Sequence, residues 1–203
     1  MTTYTSPQDG TTLDTWVNSN NPTTNYSAFA TTYIGWSDDN YYRVALIKPD
    51  FSEIPAGAIV TSAKLYLKLG SELSEYNHTL GVYRSKRDWV DTQATWNIYK
   101  TSNNWATGGA RSTTDKEADT IGTYALSASE AIGWKEISLD TDSIQEMIDG
   151  VFSNNGFVLD FTDYAARASL YIFYSSKDAT PANRPYFVIE YVLGGQFIMW
   201  SND

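Results

Sequence analysis

The sequence predicts an all-β protein, an antiparallel β-sandwich with one short helix. Three observations carry that expectation. Tyrosine (15), phenylalanine (8) and tryptophan (7) are abundant in a 203-residue chain, and such residues suit half-buried pleated surfaces better than helices. Short apolar runs recur between Asn/Gly/Ser/Asp clusters, the spacing of a sandwich and not of a βαβ array. The third is one long stretch, Ile59 to Leu69, in which Ile59, Thr61, Ala63, Leu65, Leu67 and Leu69 alternate with Val60, Ser62, Lys64, Tyr66 and Lys68. A period of two puts the first set on a core face and the second toward solvent.

The turn that delivers the chain into this strand is Ile54-Pro-Ala-Gly-Ala58, with Pro and Gly at turn spacing. Weaker strand signals follow at Leu80–Lys86, Trp134–Leu139, Gly156–Phe161, Leu170–Tyr174 and Tyr186–Val192. One helix interrupts them. Asp142-Ser-Ile-Gln145 reads as a capping box, Ile144, Met147, Ile148 and Val151 form a stripe at helical spacing, and Gly150 is placed to end it. Residues 101–130 are polar and carry Gly108-Gly109, which fits either a long loop or two weakly signalled strands. Residues 1–193 make one sandwich domain. Beyond them, residues 194–203 contain Phe197, Ile198, Met199 and Trp200, an apolar tail that reads as an extra edge strand or as a docking segment for a neighbouring subunit.

Charge and composition exclude several functions. Lys and Arg number 14 against 24 Asp and Glu, a formal charge of −10 without any basic run, so a nucleic-acid partner is not expected. Cysteine is absent, which removes thiol catalysis and thiolate metal sites. The N-terminus shows no signal-peptide pattern and no stretch is long and apolar enough for a membrane span. No Gly-x-Gly-x-x-Gly or phosphate loop is present. The only histidine, His78, rules out a multi-histidine zinc site and reads as a solvent-facing turn residue, so a serine-hydrolase reading falls away with it. A glycosidase needs two carboxylates across a cleft, an arrangement that 24 acidic residues leave open as a third reading. No enzyme activity is expected.

Several segments together resemble the DNRLRE domain family, which is related to disaggregatase-type repeats and to alginate-binding carbohydrate modules. They begin with Asp14-Thr-Trp16 and Pro22-Thr-Thr-Asn25-Tyr26, then Arg43-Val-Ala-Leu-Ile-Lys-Pro-Asp50 leading through Pro55-Ala-Gly-Ala58 into Ser62-Ala-Lys-Leu-Tyr-Leu67. Trp89-Val-Asp91-Thr-Gln-Ala-Thr95-Trp96-Asn97 follows, then Asn155-Gly156, Tyr174-Ser-Ser176 and Asn183-Arg-Pro-Tyr-Phe-Val-Ile-Glu-Tyr191. Ser27 stands where that family usually has Gly, and Pro49 where it has an aromatic residue. The resemblance implies a jelly-roll-like sandwich with a binding role. In that family the domain occurs in surface or secreted proteins and in phage structural proteins.

Candidate residues follow from these readings. Trp89 and Trp96 match framework positions and are expected in the core, with Thr95 and Asn97 fixing a turn. Arg184 is expected to pair with a buried carboxylate such as Asp50. Trp36, Tyr41, Tyr42 and Trp105 lie in polar, loop-like sequence and are the candidate ligand-binding aromatics. Asp38 and Asp39 are candidate ligands for a structural calcium, with Asp50, Asp91, Asp160 and Asp163 as further oxygen donors. Phe197 to Trp200 are the candidate partner-binding residues. The leading expectation is a non-catalytic structural or attachment protein of a virion or other surface assembly, in contact with like or unlike subunits. The alternative is an extracellular module for a cell-surface or matrix polysaccharide, for which the charge of −10 favours neutral over uronate polymers unless calcium bridges them.

Overall fold

The structure, a computed structural model, describes residues 1–36, 41–163 and 168–194. In chain order the strands are β1 (Thr2–Thr5), β2 (Leu13–Asn18), β3 (Thr31–Trp36), β4 (Tyr42–Lys48), β5 (Ala58–Ser74), β6 (His78–Arg84), β7 (Ile98–Lys100), β8 (Asn103–Asn104), β9 (Gly122–Leu126) and β10 (Gly133–Ser138). Helix α1 (Thr141–Ile148) follows, then β11 (Phe157–Phe161), β12 (Ser169–Tyr174) and β13 (Tyr186–Leu193). Apart from the small β7–β8 hairpin the strands form one curled antiparallel sheet, ordered β1-β13-β5-β12-β3-β4-β11-β6-β9. Two further strands double it: β10 pairs with β5 and β2 with β4. The expected all-β sandwich with one short helix is what the chain adopts.

Strand β5 is the spine. Leu65 faces Ile137 of β10 on one edge and Phe187 of β13 on the other. Its inward residues Ala63, Leu65, Leu67 and Leu69 meet Phe157, Phe173, Phe187 and Ile189 in the main core. The expected alternation fails at its start, where Val60 is buried and Ile59 exposed. A register shift opposite Glu190/Tyr191 leaves Thr61 as an extra residue, and one extra residue inverts which side chains face inward.

Strands β2 and β4 show no alternation because they are buried on both faces. In β4, Ala45 and Ile47 point into the main core while Val44 and Leu46 enter a second one. Residues 86–116 supply the other wall of that second core through Trp89, Ala94, Trp105 and Ala110. A doubly buried strand reads as a continuous apolar run without alternation. Trp89 is buried as expected, and Thr95 Oγ1 accepts from the amides of Asn97 and Ile98, which holds the expected turn. Trp96 is half-buried, and its ring lies against Gly108 and Gly109 so closely that a Cβ at either would stand 2.3 Å from it. Of the alternatives for residues 101–130, the two short strands β8 and β9 are present.

Two local expectations are corrected. The N-cap of α1 is Asp140, whose carboxylate accepts from Ser143 N at 2.8 Å, and not Asp142. Gln145 is therefore free to bind the edge of β5, accepting from Val60 N (2.8 Å) and donating to Ala58 O (2.9 Å). Arg184 does not meet Asp50. It donates to the carbonyls of Asp178 and Gln8, while the Asp50 carboxylate accepts from Ser52 N.

Candidate functional site

With Leu65, Leu67 and Leu69 turned inward, β5 shows Lys64, Tyr66 and Lys68 on its outer face. On β10, Lys135 and Ile137 are buried and Trp134, Glu136 and Ser138 are exposed. On β13, Phe187 and Ile189 are buried, which turns Tyr186, Val188 and Glu190 outward. Register then brings the aromatic residues together. Tyr66 lies opposite both Tyr186 and Glu136, and Trp134 opposite Lys68.

The rings of Tyr66 and Tyr186 stack at 4.6 Å and 6°, and Trp134 meets Tyr186 nearly at right angles at 5.2 Å. Trp134 is 38% exposed, the most of any described tryptophan. The Lys68 ammonium sits 5.8 Å from the Trp134 ring and 5.9 Å from Tyr174, and donates to Asn183 Oδ1 at 2.7 Å. Asn183 in turn donates to Asp178 Oδ1 at 3.0 Å. Lys64 pairs with Glu136 at 2.6 Å, and Tyr66 Oη donates to the other oxygen of that carboxylate. Those two bonds hold Glu136 below the usual carboxylate range, and the carboxylate pushes the Tyr66 hydroxyl up. The face is a wet aromatic cluster rimmed by polar groups, the chemistry that stacks on the C–H faces of a sugar ring and binds its hydroxyls.

Comparison with known protein families matches residues 7–191 to carbohydrate-binding module family 96. The chain belongs to that family. No curated protein matches it. The match supports the carbohydrate-module side of the resemblance drawn from the sequence.

Within this family 96 module, the residues singled out from sequence fall elsewhere. Trp36 ends β3 at 8% exposure and packs 6.2 Å from Tyr42. Tyr42 is half-buried between the Arg111 guanidinium, 3.9 Å from its ring centre, and Trp96 at 6.2 Å. Tyr41 is half-buried beside them in sequence. Trp105 is 5% exposed and spends its indole N–H on Thr95 O at 2.9 Å. The structure thus gathers Trp36 and Tyr42 but leaves Trp105 apart, and neither tryptophan offers a free face. Polar neighbours in sequence misled here, because the 86–116 segment is a polar loop that folds its aromatics down onto the sheet. The outer aromatics of β5, β10 and β13 were missed, although the alternation placing Tyr66 outside was legible.

The proposed calcium ligands Asp38 and Asp39 lie outside the described residues, as do Phe197, Ile198, Met199 and Trp200, on which the assembly expectation rests. The other acids are dispersed. Asp160 is buried against Lys116 at 3.0 Å, Asp50 caps a turn, and among the described residues no three acidic or histidine side chains are placed to share a metal.

His78 overturns its expectation. It is 4% exposed, its ring stacks on Phe161 at 4.5 Å, and Nε2 is 2.7 Å from Ser169 Oγ while Nδ1 faces Asp163 Oδ1 at 3.6 Å. A single histidine suffices for a Ser–His–Asp array, so the histidine count could not dismiss one. What disarms the array is access. Ser169 is 1% exposed, accepts from the Ser74 hydroxyl and donates to Ala168 O, so its oxygen is enclosed and already bonded. A nucleophile must reach a substrate carbonyl.

Proposed function

We propose that this module is a non-catalytic polysaccharide-binding domain acting outside the cell or on its surface, and that it binds through the outer face of β10, β5 and β13. The observation that carries the reading is Trp134, 38% exposed beside the stacked Tyr66–Tyr186 pair on the open side of the sandwich. Buried tryptophan is ordinary framework. An exposed indole among tyrosines and hydrogen-bonding side chains is the composition of a binding surface. On the opposite sheet, residues 86–116 cover the outer side of β2, β4, β6 and β11.

Affinity electrophoresis against a panel of polysaccharides tests the site. Trp134→Ala should weaken binding of any retained polysaccharide by about tenfold or more, equivalent to roughly 1.4 kcal/mol, and leave the melting curve nearly unchanged because the ring is largely outside the core. Undiminished retention by both Trp134→Ala and Tyr186→Ala would remove the face from consideration.

A further inference from the structure

His78 presents a nitrogen that the fold leaves unused. Ser169 Oγ donates its only proton to Ala168 O at 2.8 Å, so its 2.7 Å contact with His78 Nε2 takes the proton of the imidazole. The ring proton therefore sits on Nε2, and Nδ1 carries a lone pair. Nδ1 is buried, and among the described residues nothing donates to it. It faces Asp163 Oδ1 at 3.6 Å, too far for a hydrogen bond. A buried acceptor left without a donor costs stability. The Asp163 carboxylate is placed by a different partner, because Oδ1 accepts from Thr79 N at 3.1 Å, and its side chain is 48% exposed. Both groups line a cleft of about 240 Å³ walled also by Asn77, Thr79, Leu126 and Ser127, with room for several waters.

The geometry points to a metal site: His78 Nδ1 and Asp163 Oδ1 together bind a divalent transition-metal ion such as zinc, and waters in the cleft complete its coordination. Zinc takes imidazole nitrogen and carboxylate oxygen at about 2.0–2.2 Å, so two such ligands at the tetrahedral angle stand ~3.4 Å apart. The 3.6 Å separation is within a small side-chain movement of that spacing. The bond from Nε2–H to Ser169 Oγ is the outer hydrogen bond that fixes the tautomer and direction of a metal-binding histidine. Stacking on Phe161 at 4.5 Å holds the ring plane. An imidazole nitrogen selects such ions over calcium, which takes oxygen ligands. The site ties the start of β6 to the chain just beyond β11, outside the strands of the proposed polysaccharide face, so its test is independent of that reading.

The chain has a single histidine, so nitrogen NMR of the imidazole reads this site alone. The whole untagged chain and its Asp163→Asn variant are titrated near neutral pH with zinc chloride and, separately, with calcium chloride. Asparagine keeps an oxygen to accept from Thr79 N, so the variant retains the local fold. The expected result is an Nε2–H tautomer before metal is added, then a saturable zinc-dependent shift that is larger at Nδ1 than at Nε2. Calcium should leave both resonances in place. Zinc affinity should fall about tenfold or more in Asp163→Asn, at least the loss that removing a supporting partner of a metal ligand causes. A ring that holds its proton on Nδ1 before zinc is added, an Nδ1 resonance that zinc does not move, or undiminished zinc affinity in Asp163→Asn would each overturn the site. A calcium response matching that of zinc would overturn the transition-metal assignment.

Discussion

Asp14 makes the stability of this protein depend on pH in an unusual direction. Its carboxylate is buried in β2 at 3% residue exposure, where it accepts from Ser176 N at 2.8 Å and Ser176 Oγ at 2.6 Å. Burial dominates and pushes the carboxyl up to about 6, against the opposing pull of the Ser176 bonds and Lys177. In the unfolded chain an aspartate titrates near ~3.9. Between those values the folded state holds a proton that the unfolded state has released, so this group's contribution is fully present below ~3.9 and is lost as pH rises through about 6. The interval corresponds to about 3 kcal/mol. Other carboxylates work the other way. Burial alone would raise Glu130, yet Lys135 and the Ser127 amide and hydroxyl hold it at about 2, so its contribution fades as pH falls below its unfolded value. A wild-type curve therefore mixes both signs, and Asp14→Asn isolates one of them. Urea denaturation of both proteins from about pH 3.5 to about pH 7 should show the variant gaining on wild type by about 3 kcal/mol across the range, most of it between about pH 4 and about pH 6. Asparagine keeps an acceptor for Ser176 N, so any constant offset leaves that slope untouched. Parallel curves would mean that Asp14 is solvated or paired in solution and would refute the burial argument.

Two further substitutions test the packing. Gly35 has φ +147° and a Cβ there would stand 2.1 Å from the Ser169 carbonyl, so Gly35→Ala should separate β3 from β12 and cost about 3 kcal/mol or more, read by thermal unfolding; a melting temperature within a degree or so of wild type contradicts that contact. Lys116→Met removes the cation 3.0 Å from buried Asp160 and should cost about 3–5 kcal/mol in chemical denaturation, with much of the loss recovered by Asp160→Leu in the same chain; a single-variant cost below about 1 kcal/mol means that Arg111, 3.9 Å from the same oxygen, compensates alone.

The sandwich was legible where one face of a strand is dry and the other wet. Strand β5 announces itself through Ala63, Leu65, Leu67 and Leu69, and the helix through Ile144 and Met147. Strands β1 to β4 gave little signal: β4 lies between two cores, so that Val44, Ala45, Leu46 and Ile47 are all buried and show no period. His78 and Trp105 failed for the same physical reason in reverse. Each sits among polar neighbours in sequence, but burial is decided by residues distant along the chain, Phe161 and Ser169 for the one and the sheet beneath residues 86–116 for the other.

The location of the proposed binding face is tied to that second core. A two-sheet sandwich starts with two outer surfaces, and either could carry a ligand site. Here residues 86–116 fold over the outer side of β2, β4, β11 and β6, and the aromatic residues on that side, Tyr83, Trp89 and Trp105, become framework. The sheet built on β5 keeps Trp134, the most exposed of the described tryptophans, in contact with water beside Tyr66 and Tyr186. Its tyrosines and tryptophan are not needed by the core, since Leu65, Leu67, Phe187 and Ile137 fill the inner side of the same strands. Cross-strand aromatic pairs add a modest stability to a sheet, and here they also leave ring surface open to water. Their presence opposite one another in register, with their cations and carboxylate already paired, is the arrangement on which the proposed stacking of an external ring relies.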